Sequence, residues 1–214
     1  MKYLALSFFI ILSINLSAQM DSVSYSAGLI IAKNLKSQGF KDLDKASFLD
    51  ALNDVYEGKD YKITIENATA NFKNHVELAA AKMQTENKEI GEKFLADNKA
   101  KPNIKVTDSG LQYEVLESAP AGTKPSLLDK VKVHYHGTLI DGTVFDSSVD
   151  RGEPISFPVN GVIKGWQEGL QLMDVGSKFR FYIPQDLAYG ARGAGGAIGP
   201  YSALIFDVTL LAIE

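Results

Sequence analysis

From Val133 to Ser148 the chain reads VHYHGTLIDGTVFDSS, and this stretch sets the period of the whole C-terminal part. Val131, Val133 and Tyr135 alternate with Lys132, His134 and His136, giving a strand with one apolar and one polar face. The same two-residue period recurs at Leu111–Glu117, Ile155–Val159, Lys178–Ile183 and Leu204–Ile213, between turns of Gly, Pro, Asp and Ser. Phe179, Phe181 and Ile183 oppose Lys178, Arg180 and Tyr182, while Leu204, Phe206, Val208 and Leu210 form a third inward set. On this reading the charged and histidine positions face water. One helical stretch, Gly165–Met173, interrupts the strands. The expected fold class is α+β, with an antiparallel half-barrel sheet wrapped round a short helix.

Toward the N-terminus, before Lys101-Pro102-Asn103, the period is helical. Tyr25, Leu29, Ala32 and Leu35 make one stripe, with Gly39 as its stop. Asp44 is placed as the N-cap of a second helix carrying Phe48, Leu49, Leu52, Val55 and Tyr56, closed by Gly58. A third begins near Thr64, where Ile65, Ala68, Phe72, Val76, Ala79, Met83, Ile90 and Phe94 recur close to a heptad seam. It spans roughly 35 residues, about 50 Å at the helical rise. Two short helices do not cover a seam of that length, so the remainder is expected to be buried against a second copy. The alternatives are a monomeric three-helix bundle, or a helix packed back on the C-terminal domain.

Met1–Lys2, the apolar run Leu4–Ile14 and the small Ser17–Ala18 have the pattern of a secretory signal peptide. The run is shorter than the roughly 20 residues a spanning helix needs. The expected organisation is a signal peptide at 1–19, a helical dimerisation domain with its linker helix at 20–103, and the sheet domain at 104–214. Export to the periplasm follows, with the cell surface or outer membrane as the alternative destination. The chain has no cysteine, which excludes disulfides and a lipid-modified thiol. A formal net charge of −4 over 214 residues argues against nucleic acid as a partner.

The chemistry-bearing residues gather in one region. VHYHGTLIDGTVFDSS, VIKGWQEGL (Val162–Leu170), LAYG (Leu187–Gly190) and ALIFDVTLL (Ala203–Leu211) supply Tyr135, Phe145, Trp166, Tyr189 and Phe206, and Phe157 joins them from its own strand. There is no nucleophile–base pair, so a reaction here needs shape and dryness rather than proton or acyl transfer. Aromatics inside a small sheet also build cores, and Phe179, Phe181 and Leu204 read that way. Trp166, Tyr189 and Tyr135 carry polar groups that a dry core has to satisfy. Asp146 follows Phe145, and Arg151 lies five residues on as a partner for it; a solvated Asp in a DSS turn is the other reading. His134 and His136 share a strand face but lack a third ligand, so no metal site is expected. GARGAGGAIG (Gly190–Gly199) lacks the ending of a phosphate loop and reads as a flexible rim, with Ile198 its one sizeable apolar contact.

With VGSKFRFYIP (Val175–Pro184) added, these motifs make the stretch from about Thr107 to Glu214 resemble the FKBP-type peptidyl-prolyl cis–trans isomerases. The helical part, joined through FLADNKAKPNIKVTDSGLQYEV (Phe94–Val115), is similar to the dimerisation segment of their macrophage infectivity potentiator-like subgroup. The resemblance implies catalytic roles for Tyr135, Asp146 and Tyr189. It implies a substrate bowl of Phe145, Arg151, Ile155, Phe157, Val162, Ile163, Trp166, Ile198 and Phe206. Trp166 would floor the proline ring, and the Ile163 N–H and Tyr189 hydroxyl would hold peptide carbonyls. Unfolded or nascent exported proteins containing proline are the implied clients, FK506-type macrolides the implied inhibitors, and no cofactor is required. Three departures stand out: Ile155 where an aromatic is common, Gly161 where a polar residue is frequent, and Gly199 in place of a proline, which would add mobility to the loop. A dimeric client-gripping chaperone with little isomerase activity is the competing function.

Overall fold

The computed structural model describes residues 21–214, and the leader expected at 1–19 lies outside them. Helix α1 (Ser22–Ser37) starts where the Asp21 carboxylate accepts the N–H groups of Val23 and Ser24, each at 3.2 Å. Gly39 follows it at φ 95°, a left-handed step that favours glycine. Among the described residues, 21–42 belong to one compact unit and Leu43–Glu214 form another. In the second, α2 (Lys45–Tyr56) is capped by Asp44, which accepts from Ser47 N at 2.8 Å. Helix α3 (Ile65–Lys99) is capped by Thr64 and runs for 35 residues, the length its periodicity predicts. Lys73–Glu77, Lys82–Glu86, Lys88–Glu92 and Lys93–Asp97 pair across single turns of α3. Such pairs suit a helix surrounded by water, at a few tenths of a kcal/mol each.

The strands are β1 (Lys105–Val106), β2 (Gln112–Glu117), β3 (Lys130–Leu139), β4 (Val144–Ser147), β5 (Ile155–Pro158), β6 (Lys178–Ile183) and β7 (Leu204–Ile213). They form one antiparallel sheet in the order β1-β2-β6-β7-β3-β4, with β5 also paired to β3. A helical turn, α4 (Ser148–Arg151), follows β4, and α5 (Lys164–Leu170) lies between β5 and β6. The alternation of β3, β6 and β7 buries Val131, Val133, Phe179, Phe181, Leu204, Val208 and Leu210 in one core. Helix α5 approaches β6 through glycines: a Cβ at Gly165 would stand 2.5 Å from Ile183 Cγ2, and one at Gly169 would stand 2.7 Å from Phe181 Cε1. Only hydrogen fits there, which lets the following Trp166 sit close to the sheet.

The structure corrects the expectations in two places and shows what covers a third. Tyr182, on the strand face it shares with Lys178 and Arg180, is buried, its ring lies 5.9 Å from that of Phe94 on α3, and its hydroxyl donates to Glu114 at 3.0 Å. His134 and His136 are half-buried, with Nδ1 atoms 3.1 and 3.0 Å from Ser148 Oγ and Ser147 Oγ. The lower end of α3 is covered by the sheet rather than left for a second copy: Gly91 and Asn98 are buried, and Asn98 Nδ2 donates to Gln112 Oε1 at 2.9 Å. Gln112 Nε2 in turn donates to Leu95 O at 2.8 Å. Ile90, one residue before Gly91, stays exposed.

Candidate active site

Trp166 is the third residue of α5 and is 4% exposed. Rings of Tyr135, Phe157 and Phe206 surround its indole with centroids 5.4, 5.5 and 5.1 Å away. The Tyr135 and Phe206 rings meet it edge-on, at 84° and 85°, a favourable arrangement of aromatic quadrupoles. Phe145 stands edge-on to Phe206 at 5.3 Å. These rings do not close over one another. They line a cavity of about 580 Å³ together with Asp146, Ile155, Val162, Ile163, Tyr189 and Ile198. Eleven of the twelve residues assigned to the bowl from sequence therefore border one space. The twelfth, Arg151, is the brace behind it.

Strand β3 brings Tyr135 and β4 brings Asp146 to the same end of the sheet, where α4 folds Arg151 back toward both. The Tyr135 hydroxyl donates to Asp146 Oδ2 at 2.5 Å, Arg151 Nη1 pairs with Asp146 Oδ1, and Arg151 Nη2 lies 2.9 Å from the Tyr135 oxygen. Burial alone would raise the Asp146 pKa, but the hydrogen bonds from Tyr135 and Arg151 reverse this and hold the carboxyl below its usual range. Asp146 is thus a fixed anion rather than a proton carrier at neutral pH. Desolvation raises the Tyr135 pKa, and the carboxylate beside it raises it further. Desolvation, followed by the Asp146 charge, does the same to Tyr189. Both phenols stay protonated near neutrality and act as donors.

Two donors face the cavity without a partner among the described residues: the Tyr189 hydroxyl and the backbone N–H of Ile163, the residue before α5. Trp166 Nε1 is also buried with no hydrogen-bond partner. The remaining wall is apolar. Such a site orients carbonyl groups and excludes water, and it offers no base or nucleophile.

This constellation has known counterparts. The family profile described as FKBP-type peptidyl-prolyl cis-trans isomerase matches residues 121–211, and that of the domain amino terminal to FKBP-type peptidyl-prolyl isomerase matches residues 20–115. The isomerase FkpA of Aeromonas hydrophila is 48% identical over 203 residues, covering 90% of this chain and 74% of its own. The chain belongs to the FKBP-type peptidyl-prolyl cis–trans isomerases. Outer membrane protein MIP of Legionella longbeachae is 41% identical over 207 residues, covering 94% of this isomerase and 88% of its own length. The crystal structure of FkpA from Escherichia coli superposes with a TM-score of 0.71 at 37% identity, covering 90% of the isomerase and 93% of that chain.

Sequence reasoning missed Gly137. A Cβ there would meet Phe206 Cε1 at 2.7 Å and Phe145 Cε2 at 2.9 Å, so the two rings pack on bare backbone. A glycine inside a strand pattern is the signal that would have found it. It also missed Ala194, Gly195 and Ala197, which line the rim with small groups. Their loop carries contacts of its own. Ala194 and Ile198 exchange backbone hydrogen bonds of 2.9 and 3.0 Å, and Gly199 is held near Met83 and Asn87 of α3.

Proposed function

We propose that the X–Pro bond twists in the cavity over Trp166, with Tyr135, Asp146 and Tyr189 as the catalytic residues and the other bowl residues binding the peptide. The carrying observation is the pair of unpartnered donors, Ile163 N–H and Tyr189 OH, on an otherwise apolar wall. Rotation about a peptide bond costs about 18–20 kcal/mol, because the twisted amide loses its resonance. Unaided, an X–Pro bond takes on the order of tens to hundreds of seconds. The twisted amide is less polar than the planar one, so a dry cavity favours it relative to the ground state, while water does the reverse. The two donors hold the flanking carbonyls, and the Asp146 anion faces the region where the amide charge redistributes. A thousandfold acceleration needs only about 4 kcal/mol, within reach of desolvation and two aimed hydrogen bonds.

The full chain, on this reading, is an exported homodimer: residues 1–19 direct export, 20–103 pair two copies and space them, and 104–214 carry the chemistry. The substrates are proline-containing exported proteins, and FK506-type macrolides block the same cavity. The apolar side chains left exposed on α1 and α2 support the pairing, and a relative named as an outer membrane protein supports an envelope location. The test is a protease-coupled assay on an X–Pro tetrapeptide. Tyr189→Phe and Asp146→Ala should each lower kcat/KM by about tenfold with the fold retained, and Trp166→Ala should lose macrolide binding. Unchanged rates in all three would remove the site. Suppressed aggregation of a proline-free client without peptide turnover would favour the chaperone instead.

A further inference from the structure

Asn87 lies on α3 outside the cavity, yet its side chain ends on the loop that borders it. Its Nδ2 donates to Pro200 O at 2.8 Å and sits 3.5 Å from Ser202 Oγ. One turn further along α3, Gly91 meets the same segment, where an added Cβ would stand 3.4 Å from Ala203 Cβ. Gly199 closes on Asn87 from the loop side, since a Cβ there would lie 2.8 Å from Nδ2. The loop's neck is tied separately: Tyr201 N–H donates to Gly190 O at 2.8 Å. Tyr201 adopts φ 56°, a conformation shown by no other non-glycine residue among those described, and it persists only where its surroundings hold it.

Between these anchors lie the parts of the loop that face the cavity. Ile198 is delivered by the tight Ala194–Ile198 pair, and Tyr189 immediately precedes the neck. Asn87 is not needed to dock α3, because Phe94 on Tyr182 and Asn98 on Gln112 do that further down the helix.

We propose that Asn87 is a positioning residue of the isomerase, holding Pro200 so that Ile198 and the Tyr189 hydroxyl stay aimed at the bound peptide. The proposal rests on the cavity being the isomerisation site. It makes the C-terminal half of α3 part of the active-site frame, so that a helix remote in sequence governs substrate affinity.

The experiment uses the full chain with Asn87→Ala and Asn87→Asp, and Lys88→Ala as the control on the neighbouring position. The readouts are kcat and KM on an X–Pro tetrapeptide, thermal midpoint, and FK506 affinity from the fluorescence of Trp166, the chain's single tryptophan. Asn87→Ala should raise KM and the FK506 Kd about three- to tenfold, the weight of one hydrogen bond to backbone, with kcat within about twofold. Asn87→Asp should do more, because its carboxylate faces the Pro200 carbonyl. The midpoint of Asn87→Ala should not fall, since alanine is the better helix former. A merely structural role would move the midpoint and leave KM alone. An active wild-type chain whose KM is unmoved in both variants, or moved equally by Lys88→Ala, overturns the proposal alone. A wild-type chain that turns over no X–Pro peptide overturns the isomerase reading and this one with it.

Discussion

In the sheet, Phe181, Ile183 and Leu204 are fully buried, whereas Ile30 on α1 and Tyr56 on α2 are 67% and 85% exposed. The strands close their apolar faces on one another and on α5, so the sheet has a core within a single copy. No residue of α1 or α2 is buried, nor any of α3 before Gly91. The contrast teaches that apolar periodicity has two outcomes. A sheet with a helix on its face closes its own core, while these helices leave apolar side chains exposed within a single copy. Helix α3 shows both outcomes in one element: its last turns are docked on β2 and β6, and its first turns carry exposed Ile65 and Leu78.

The largest expected effect tests the sheet. Phe181→Ala removes a fully buried ring, so its cost should be about 3–5 kcal/mol, read as a fall in the urea midpoint independent of protein concentration. An equal, concentration-independent loss from Tyr56→Ala would erase the distinction between the regions. On the helices, the proposed pairing of two copies predicts that Ile30→Glu combined with Tyr56→Glu raises its dissociation constant by about a hundredfold, the weight of two apolar contacts of about 1.5 kcal/mol each. Sedimentation velocity would show the shift to single copies, with tetrapeptide turnover retained; a dimer that survives would place the contact elsewhere. Within the sheet, Gly137→Val sharpens the comparison further. Its side chain displaces Phe145 and Phe206, so kcat/KM should fall about tenfold and the sheet should lose about 1–3 kcal/mol.

The smallest effect concerns pH. Asp146 titrates below its ordinary range in the folded chain, so its contribution to stability is present above the unfolded value near ~3.9 and is lost as pH falls through the folded one. Tyr135 and Tyr189 titrate above theirs, so their contribution is present below ~10 and is lost as pH rises through the folded values. Turnover should therefore be flat from about pH 5 to 9. A bell centred near neutrality would reveal a titrating group that this site does not contain.

Much of this is legible in the order of amino acids. Asp44 and Thr64 cap the helices assigned to them, and β6 and β7 begin and end where the alternation does. The order of motifs also picked out the residues of the bowl. The alternation of β6 left open what covers Tyr182, because a strand's period states which residues share a face and not whether another element covers that face. Gly199 likewise gives no local sign of its neighbours, Asn87 and Met83, which fill the space beside it.

The order of amino acids set the helices, the strands and their polarity, since these follow from local backbone preference and from the spacing of apolar side chains, while the resemblance of the motifs to the family supplied the expected bowl residues. Only the tertiary structure decided that Arg151 braces Tyr135 as well as Asp146, that Gly137 leaves room for two rings, and that Asn87 reaches a carbonyl 113 positions away in the chain. Those contacts join residues with no local pattern between them, and they form only after the core has fixed where each strand and helix lies.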